Sequence, residues 1–384
     1  MWIIGLLFFG IIAIFWLAHG LQVALGALTL PWLKDFDAAD DGDCPPVTIL
    51  FAARDEEEKL PQALETLRQI DYPALEILAA NDRSSDGTKK ILNDAAQRDS
   101  RLKVVNIADL PAGWLGKPHA LQRAYEASSG EWLLFTDADV RFRVDAIRRA
   151  ITLVQTKKLD HLTLLTDVEM HGFWEKTVLT FFGVGFHLAT NPRGVSDPRS
   201  SAYIGIGAFQ LVKRAAYETS GMHRRLRMEV LDDMKLAKIV KQAGFKSAVG
   251  VAQDFVTVRW HAGIRNIVRG VTKNFFAGAE FKLSIAALQL LGILCVNIVP
   301  FVALPFVRGW MLAFVIVSVV IALGFHAGTA WVMRASPFYA LTQPLGAAIF
   351  GYMLLRSTIV TLRQRGIVWR ETFYPLDELR RGIV

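Results

Sequence analysis

The stretch "EWLLFTDADV" (131–140) ends an apolar run in two carboxylates, Asp137 and Asp139, one residue apart. In extended backbone, residues i and i+2 point the same way. Two hard oxygen ligands on one side suit Mg²⁺ or Mn²⁺, which take carboxylates, water and phosphate oxygens. D-x-D pairs are common by chance, but two acids at the carboxyl end of an apolar strand need a reason. "NDRSSDGT" (81–88) adds Asp82 after the run "LEILAA". Ser85 or Asp86 can cap the helix that follows; a capped turn accounts for 84–88 but not for Asn81-Asp82. "VTILFAA" (47–53) likewise runs into Arg54, Asp55 and Glu56. Lys117 stands just before a helix, either within reach of a phosphate or solvated at the helix start. "EVLDDMKLAKIVKQAGF" (229–245) carries Asp232 and Asp233 near its start and Gly244 at its C′ position. The helix dipole stabilises acids there. The chemical alternative is a general base, which must be ionised and within reach of an acceptor hydroxyl.

These acids need a scaffold, and the pattern around them supplies one. From residue 47 apolar β-rich runs alternate with helical segments such as "EEEKLPQALETLRQI" (56–70), whose acids fall in the expected first turn. Such alternation implies a parallel sheet with right-handed crossovers. Ligands bind such sheets beyond the carboxyl ends of the strands, where three of these strands deliver their acids.

The rest of the chain is of another kind. It has 384 residues, 52% hydrophobic, and net charge +7. Residues 1–33, 283–307, 309–333 and 335–355 hold no Asp, Glu, Lys or Arg, and about 20 apolar residues span a bilayer as a helix. The first stretch lacks the basic start, short apolar core and A-x-A site of a cleaved signal. The expected organisation is an N-terminal membrane helix (1–33), a solvated acidic linker (34–46), a catalytic domain (47–260), an amphipathic interfacial helix (261–283), membrane helices (284–362) and a basic tail (363–384). In the interfacial segment Arg265, Arg269 and Lys273 share one helix face and Ile264, Val268, Val271 and Phe275 another. The positive charge fits anionic headgroups on a cytoplasmic face. No basic stripe with interleaved aromatics points to nucleic acid. Cys44 and Cys295 have no metal-ligand spacing. Four spans would leave the arginine-rich tail outside, against the positive-inside tendency; "FYALTQPLG" (338–346), broken by Pro344, is the segment expected to be re-entrant or interfacial.

In this order, "ARDEEEKL", "NDRSSDGT", "GEWLLFTDADV", "GIGAFQLVKR" and "LDDMKLAKIVKQAG" resemble the inverting family 2 glycosyltransferases over roughly residues 45–260. "PAGWLGK", "FWEK", "SDPRS" and the tail "GIVWRETFYP" are similar to the membrane-bound hopene-associated, ceramide and carotenoid members. The resemblance implies a GT-A fold, an α/β mixed sheet, with one N-terminal and about three C-terminal transmembrane helices. It implies a nucleotide-sugar site at Arg54, Asp55, Asp82, Lys117 and Asp137, with a UDP-sugar the expected donor. It implies Mg²⁺ or Mn²⁺ at Asp139 and Asp137, Asp233 as base, and an acceptor side at Gly205, Gly207 and Asp232. Asp232, a shorter acid, stands where the family carries glutamate. The family's polymer synthases carry Gln-x-x-Arg-Trp near the interfacial helix, where this chain has "RNIVRGVTKN". The expectation is therefore a non-processive enzyme of a bacterial-type cell membrane, with a cytoplasmic catalytic domain and a lipid acceptor. The alternatives are a polyprenyl-phosphate glycosyltransferase, a processive synthase, and a non-catalytic membrane scaffold.

Overall fold

A computed structural model describes residues 2–27 and 29–384 and divides the chain into two compact units. One comprises Leu30–Glu169, Pro192–Arg259 and Val368–Val384; the other Met1–Thr29, Met170–Asn191 and Trp260–Ile367.

The first unit is an α/β domain. Its strands are β1 (Val47–Ala53), β2 (Leu75–Asp82), β3 (Leu102–Ile107), β4 (Trp132–Phe135), β5 (Val140–Phe142), β6 (His161–Leu165), β7 (Asp167–Val168), β8 (Gln210–Lys213), β9 (Ser247–Val251) and β10 (Val256–Val258). Seven form one sheet in the order β3-β2-β1-β4-β8-β6-β9. β3, β2, β1 and β4 are parallel, and β8 runs against both β4 and β6, so the sheet is mixed. Side chains alternate across it: Ile49, Phe51, Ile77 and Leu134 join one apolar cluster, Leu50, Leu78, Leu133 and Phe135 the other. A sheet covered on both faces reads as continuous apolar strands, as these do. β1 leads to β2 and β3 on one side while β4 returns to its other side, so a topological switch lies between β1 and β4.

Several segments differ from their sequence reading. The helix expected over 56–70 begins at Leu60, with Pro61 in its first turn. Its acids lie ahead of it because the backbone N–H groups of Glu56 and Glu57 donate to Thr88 Oγ1 and Asp86 Oδ2 at 2.8 and 3.2 Å. The acidic 34–46 segment is tied down rather than loose. Arg148 donates to the Ala39 carbonyl at 2.7 Å and to Asp41 at 2.6 Å. The helix Gly172–Thr190 groups with the second unit, not with the domain that surrounds it in sequence. The tail folds: β11 (Gly366–Trp369) and β12 (Thr372–Pro375) pair, the helix Leu376–Arg381 follows, and residues 368–384 belong to the α/β domain.

The second unit is helical. Trp2–Leu25, Leu283–Ala303, Gly309–Val332 and Pro337–Gln364 are long and apolar enough to cross a membrane by length and composition. Trp16 is fully buried among them and donates to the Val296 carbonyl at 3.1 Å. The interfacial segment is broken into Ile264–Gly270, a 3-10 turn at Val271–Lys273, and Phe275–Gly278. The break has a visible cause. Ser357 Oγ donates to the Thr272 carbonyl and accepts from the Phe276 N–H, at 2.6 and 2.9 Å, replacing helical partners.

Candidate active site

β1 and β2 end side by side, with Ala53 opposite Asn81, and the loops that follow are laced together. Asp55, at φ +54°, accepts from Ser85 N at 2.8 Å and Ser85 Oγ at 3.2 Å. Its carboxylate therefore holds the loop. Gly87 N donates to Glu57 at 2.7 Å, and Asp86 accepts from Thr88 N at 2.9 Å in the turn before the helix Thr88–Arg98, whose N-cap position is Gly87. Arg54 Nε is buried without a hydrogen-bond partner. Asp82 is buried at the end of β2 and held in a fork by Arg83, at 2.8 and 3.2 Å.

The D-x-D acids follow β4 directly. Lys117 Nζ, in the first turn of the helix Gly116–Glu126, donates to Asp137 Oδ1 at 2.6 Å. Lys59 Nζ donates to Asp139 Oδ2 at 2.7 Å and to the Arg259 carbonyl at 3.1 Å. The Asp137 side chain is 40% exposed and that of Asp139 16%, so Asp137 is the more open of the two. Burial raises the Asp139 carboxyl above the usual range; Lys59 opposes this and neighbouring Asp137 adds to it.

Asp233 opens the helix Asp232–Gln242. Its Oδ2 accepts from Gly207 N at 3.0 Å and its Oδ1 from Met234 N at 2.7 Å. Each oxygen keeps a second lone pair. Burial pushes this carboxyl up, Lys117 pulls it back, and Asp137 pushes again; the net direction is upward. Burial alone would depress Lys117, but Asp137, Asp232 and Asp233 together raise it and keep the ammonium charged. Both glycines are sites of close approach. A Cβ on Gly205 would meet the Asp233 carbonyl, and one on Gly207 would lie 2.7 Å from Asp137 Oδ2.

The fold thus gathers Asp137, Asp139, Asp233, Lys117 and Gly207 around the switch point, with Asp82 and Arg54 at neighbouring strand ends. Asp232, next to Asp233, also acts electrostatically on Lys117. It is buried, and its Oδ2 lies 3.9 Å from His223 Nε2. Burial lowers His223 to about 3, so that ring is neutral. Lys59, Glu56 and Arg370 join the site through partners distant in sequence. Arg370 Nη1 donates to the Asp55 carbonyl at 3.3 Å and its Nη2 pairs with Glu56. Arg370 and Glu371 both adopt positive φ, +47° and +66°, in the turn joining β11 to β12. Glycine and asparagine favour such turns, so an arginine there is held by its contacts. Tyr374 is buried, and its hydroxyl lies 3.3 Å from Gly116 N. The stretch "GIVWRETFYP" marks this tail in the sequence.

Among the described residues no three His, Cys, Asp or Glu groups cluster as a self-sufficient ion site. Mg²⁺ sites commonly combine one or two carboxylates with substrate phosphates, and the Asp137–Asp139 donor set fits that arrangement.

The family described as Glycosyl transferase family 2 matches residues 48–221. The chain is 22% identical over 255 residues to a 4,4'-diaponeurosporenoate glycosyltransferase of Staphylococcus haemolyticus, covering 65% of this chain and 66% of that one. It is 30% identical over 139 residues to a beta-monoglucosyldiacylglycerol synthase of Trichormus variabilis, covering 35% and 29%. The matches thus span just under two thirds of the first relative's length and under a third of the second's. A mannosyltransferase from Pyrobaculum calidifontis, solved with GDP-Man and Mn²⁺, shares the fold. Its TM-score is 0.54 at 18% identity, over 93% of this chain and 99% of that one.

Proposed function

We propose that residues 48–221, which match the family described as Glycosyl transferase family 2, form a domain of GT-A fold that moves one sugar from a nucleoside-diphosphate sugar to a lipid hydroxyl, with inversion. The observation that carries this is the cluster at the sheet's switch point: Lys117 bonds Asp137, Gly207 bonds Asp233 and approaches Asp137, and Asp233 acts electrostatically on Lys117. Lipid-directed activity follows the names of the two relatives and the four apolar helices.

In this reading Asp82 and Arg54 face the nucleoside, Lys117 the diphosphate, and Gly205 and Gly207 leave room for the acceptor. Asp233 takes the proton of the acceptor hydroxyl. The oxygen attacks the anomeric carbon from the face opposite the diphosphate, whose bond to that carbon breaks with the electron pair leaving on phosphate oxygen. The transition state is oxocarbenium-like, as in glycoside hydrolysis. The Lys117 ammonium stabilises the departing charge from a fixed position. Mg²⁺ or Mn²⁺ held by Asp139 and Asp137 would supply further charge stabilisation. A UDP-sugar is the proposed donor.

The test is mass spectrometry of lipids from cells with and without the protein, followed by transfer from labelled donor in vitro. One added sugar per lipid alcohol is expected. A ladder of sugars would select a processive synthase; transfer to polyprenyl phosphate but not to a lipid alcohol would select that alternative.

The protein is proposed to be multi-pass, with the α/β domain cytoplasmic. Arg259 and Val368 belong to that same domain, so the chain between them crosses the bilayer an even number of times. Three apolar helices lie between them; one must enter and leave on the same side. We assign that role to Pro337–Gln364, which opens in a 3-10 turn, Pro337–Thr342, and not in α-helix. Gln343 Nε2 bonds Asn297 Oδ1 at 2.9 Å and Ser357 bonds Phe276 N at 2.9 Å. Gln343–Gln364 therefore starts at a buried polar pair with Asn297 and runs antiparallel to Leu283–Asn297. This keeps the basic tail inside. Cysteine labelling in a background without Cys44 and Cys295 checks it. Phe306→Cys should react with impermeant maleimide from outside, and Ser336→Cys and Glu378→Cys from inside; outside labelling at 378 would refute the parity.

A further inference from the structure

Away from the D-x-D site, the helical unit holds a cavity of about 280 Å³ lined by Ile264, Arg265, Val268, Arg269, Tyr352 and Arg356. The helix Ile264–Gly270 contributes Arg265 and Arg269, one turn apart on one face, and Gln343–Gln364 contributes Arg356 with Tyr352 one turn before it. Three arginines line one small space, and no acidic residue is among its lining residues. Arg356 Nε is buried and has no hydrogen-bond partner. An unpaired buried donor on a charged group is costly, and three like charges around one cavity repel. Both costs vanish if an anion sits there.

We infer that Arg265, Arg269 and Arg356 bind the phosphate headgroup of an anionic membrane lipid. Guanidinium forks match phosphate oxygens two at a time. The volume lies just under the roughly 300–1,000 Å³ of sites for drug-sized molecules, which suits a headgroup. A lipid rather than a free anion is indicated by the walls and their continuation. Ile264 and Val268 are apolar, and beside Arg356 the same helix exposes Leu355, Ile359 and Leu362 to 45%, 39% and 38%. A headgroup in the cavity would leave its acyl chains on that surface, with Tyr352 at the level where tyrosines favour the interface. The site does not depend on the acceptor proposed above, because the family 2 domain contributes none of its residues.

The experiment measures binding of short-chain phosphatidylglycerol, phosphatidylcholine and inorganic phosphate to the full chain in neutral detergent, by native mass spectrometry and calorimetry. Phosphatidylglycerol should bind at least about tenfold more tightly than phosphatidylcholine, and millimolar phosphate should not displace it. Arg356→Gln and the exposed pair Arg265→Gln/Arg269→Gln should each weaken it about tenfold or more, the scale of a charged hydrogen bond. Arg308→Gln, elsewhere in the unit, should bind as wild type. Equal binding of the two lipids, unchanged binding by the Arg265→Gln/Arg269→Gln pair, or equal weakening by Arg308→Gln would overturn the site. Displacement by inorganic phosphate would overturn the lipid as its occupant. If Arg356→Gln fails to fold, the exposed pair still decides the question.

Discussion

Asp233→Asn should lower sugar transfer about a thousandfold while the protein still binds nucleoside diphosphate, since removing a general base costs about 10²–10⁴. The substitution is close to isosteric but not silent. Both Asp233 oxygens accept a backbone N–H, from Gly207 and Met234. An amide can accept only one of these, so a cost of about 1–3 kcal/mol in local stability accompanies the change. Unaltered nucleotide binding is the control that separates this cost from lost catalysis. The wild-type pH profile carries a second signature. The Asp233 carboxyl is raised by burial and held down in part by Lys117. Its base form is lost as pH falls through that raised value, so the acid limb should lie above the usual aspartate range near 3.9. Lys117→Met should move the limb further up, because the opposing charge is gone. An Asp233→Asn enzyme with near-normal turnover would remove this residue from the role of base.

The second large effect is expected at Asp139. Asp139→Ala should abolish divalent-ion binding in the presence of nucleoside diphosphate, read by Mn²⁺ paramagnetic resonance, and lower transfer about a thousandfold or more, since a bound ion supplies several kcal/mol of charge stabilisation. Lys59 loses its partner at 2.7 Å but keeps the Arg259 carbonyl, so the change does not leave the ammonium without an acceptor. Wild-type Mn²⁺ affinity in Asp139→Ala would assign the ion to other ligands. Unchanged Mn²⁺ affinity together with lost transfer would leave Asp139 a role in the reaction without the ion.

Much of the scaffold was legible because it rests on local patterns. Continuous apolar strands bounded by polar turns announce a sheet covered on both faces, and the acids after residues 53, 80 and 136 announce its ligand end. The four charge-free stretches could be counted directly. Failures arose where a distant partner outbid a local preference. Glu56 and Glu57 look like helix-start acids, but their N–H groups are taken by Thr88 and Asp86, 32 and 29 residues away. The 34–46 segment has a linker's composition, but Arg148 anchors it from over 100 residues further on.

What the sequence by itself determined is the α/β domain, its family resemblance and the acids at its strand ends, because periodicity and strand-end chemistry are properties of neighbouring residues. Only the tertiary structure decided which charges meet those acids. Lys59 reads as a solvated helix-start lysine until it is found on Asp139, 80 residues away; Arg370 reads as part of a basic tail until it is found beside Glu56, 314 residues away. The Arg265–Arg269–Arg356 cavity likewise joins two helices about 90 residues apart in sequence. Charge pairing acts through space, and chain order carries no record of it until the backbone has folded.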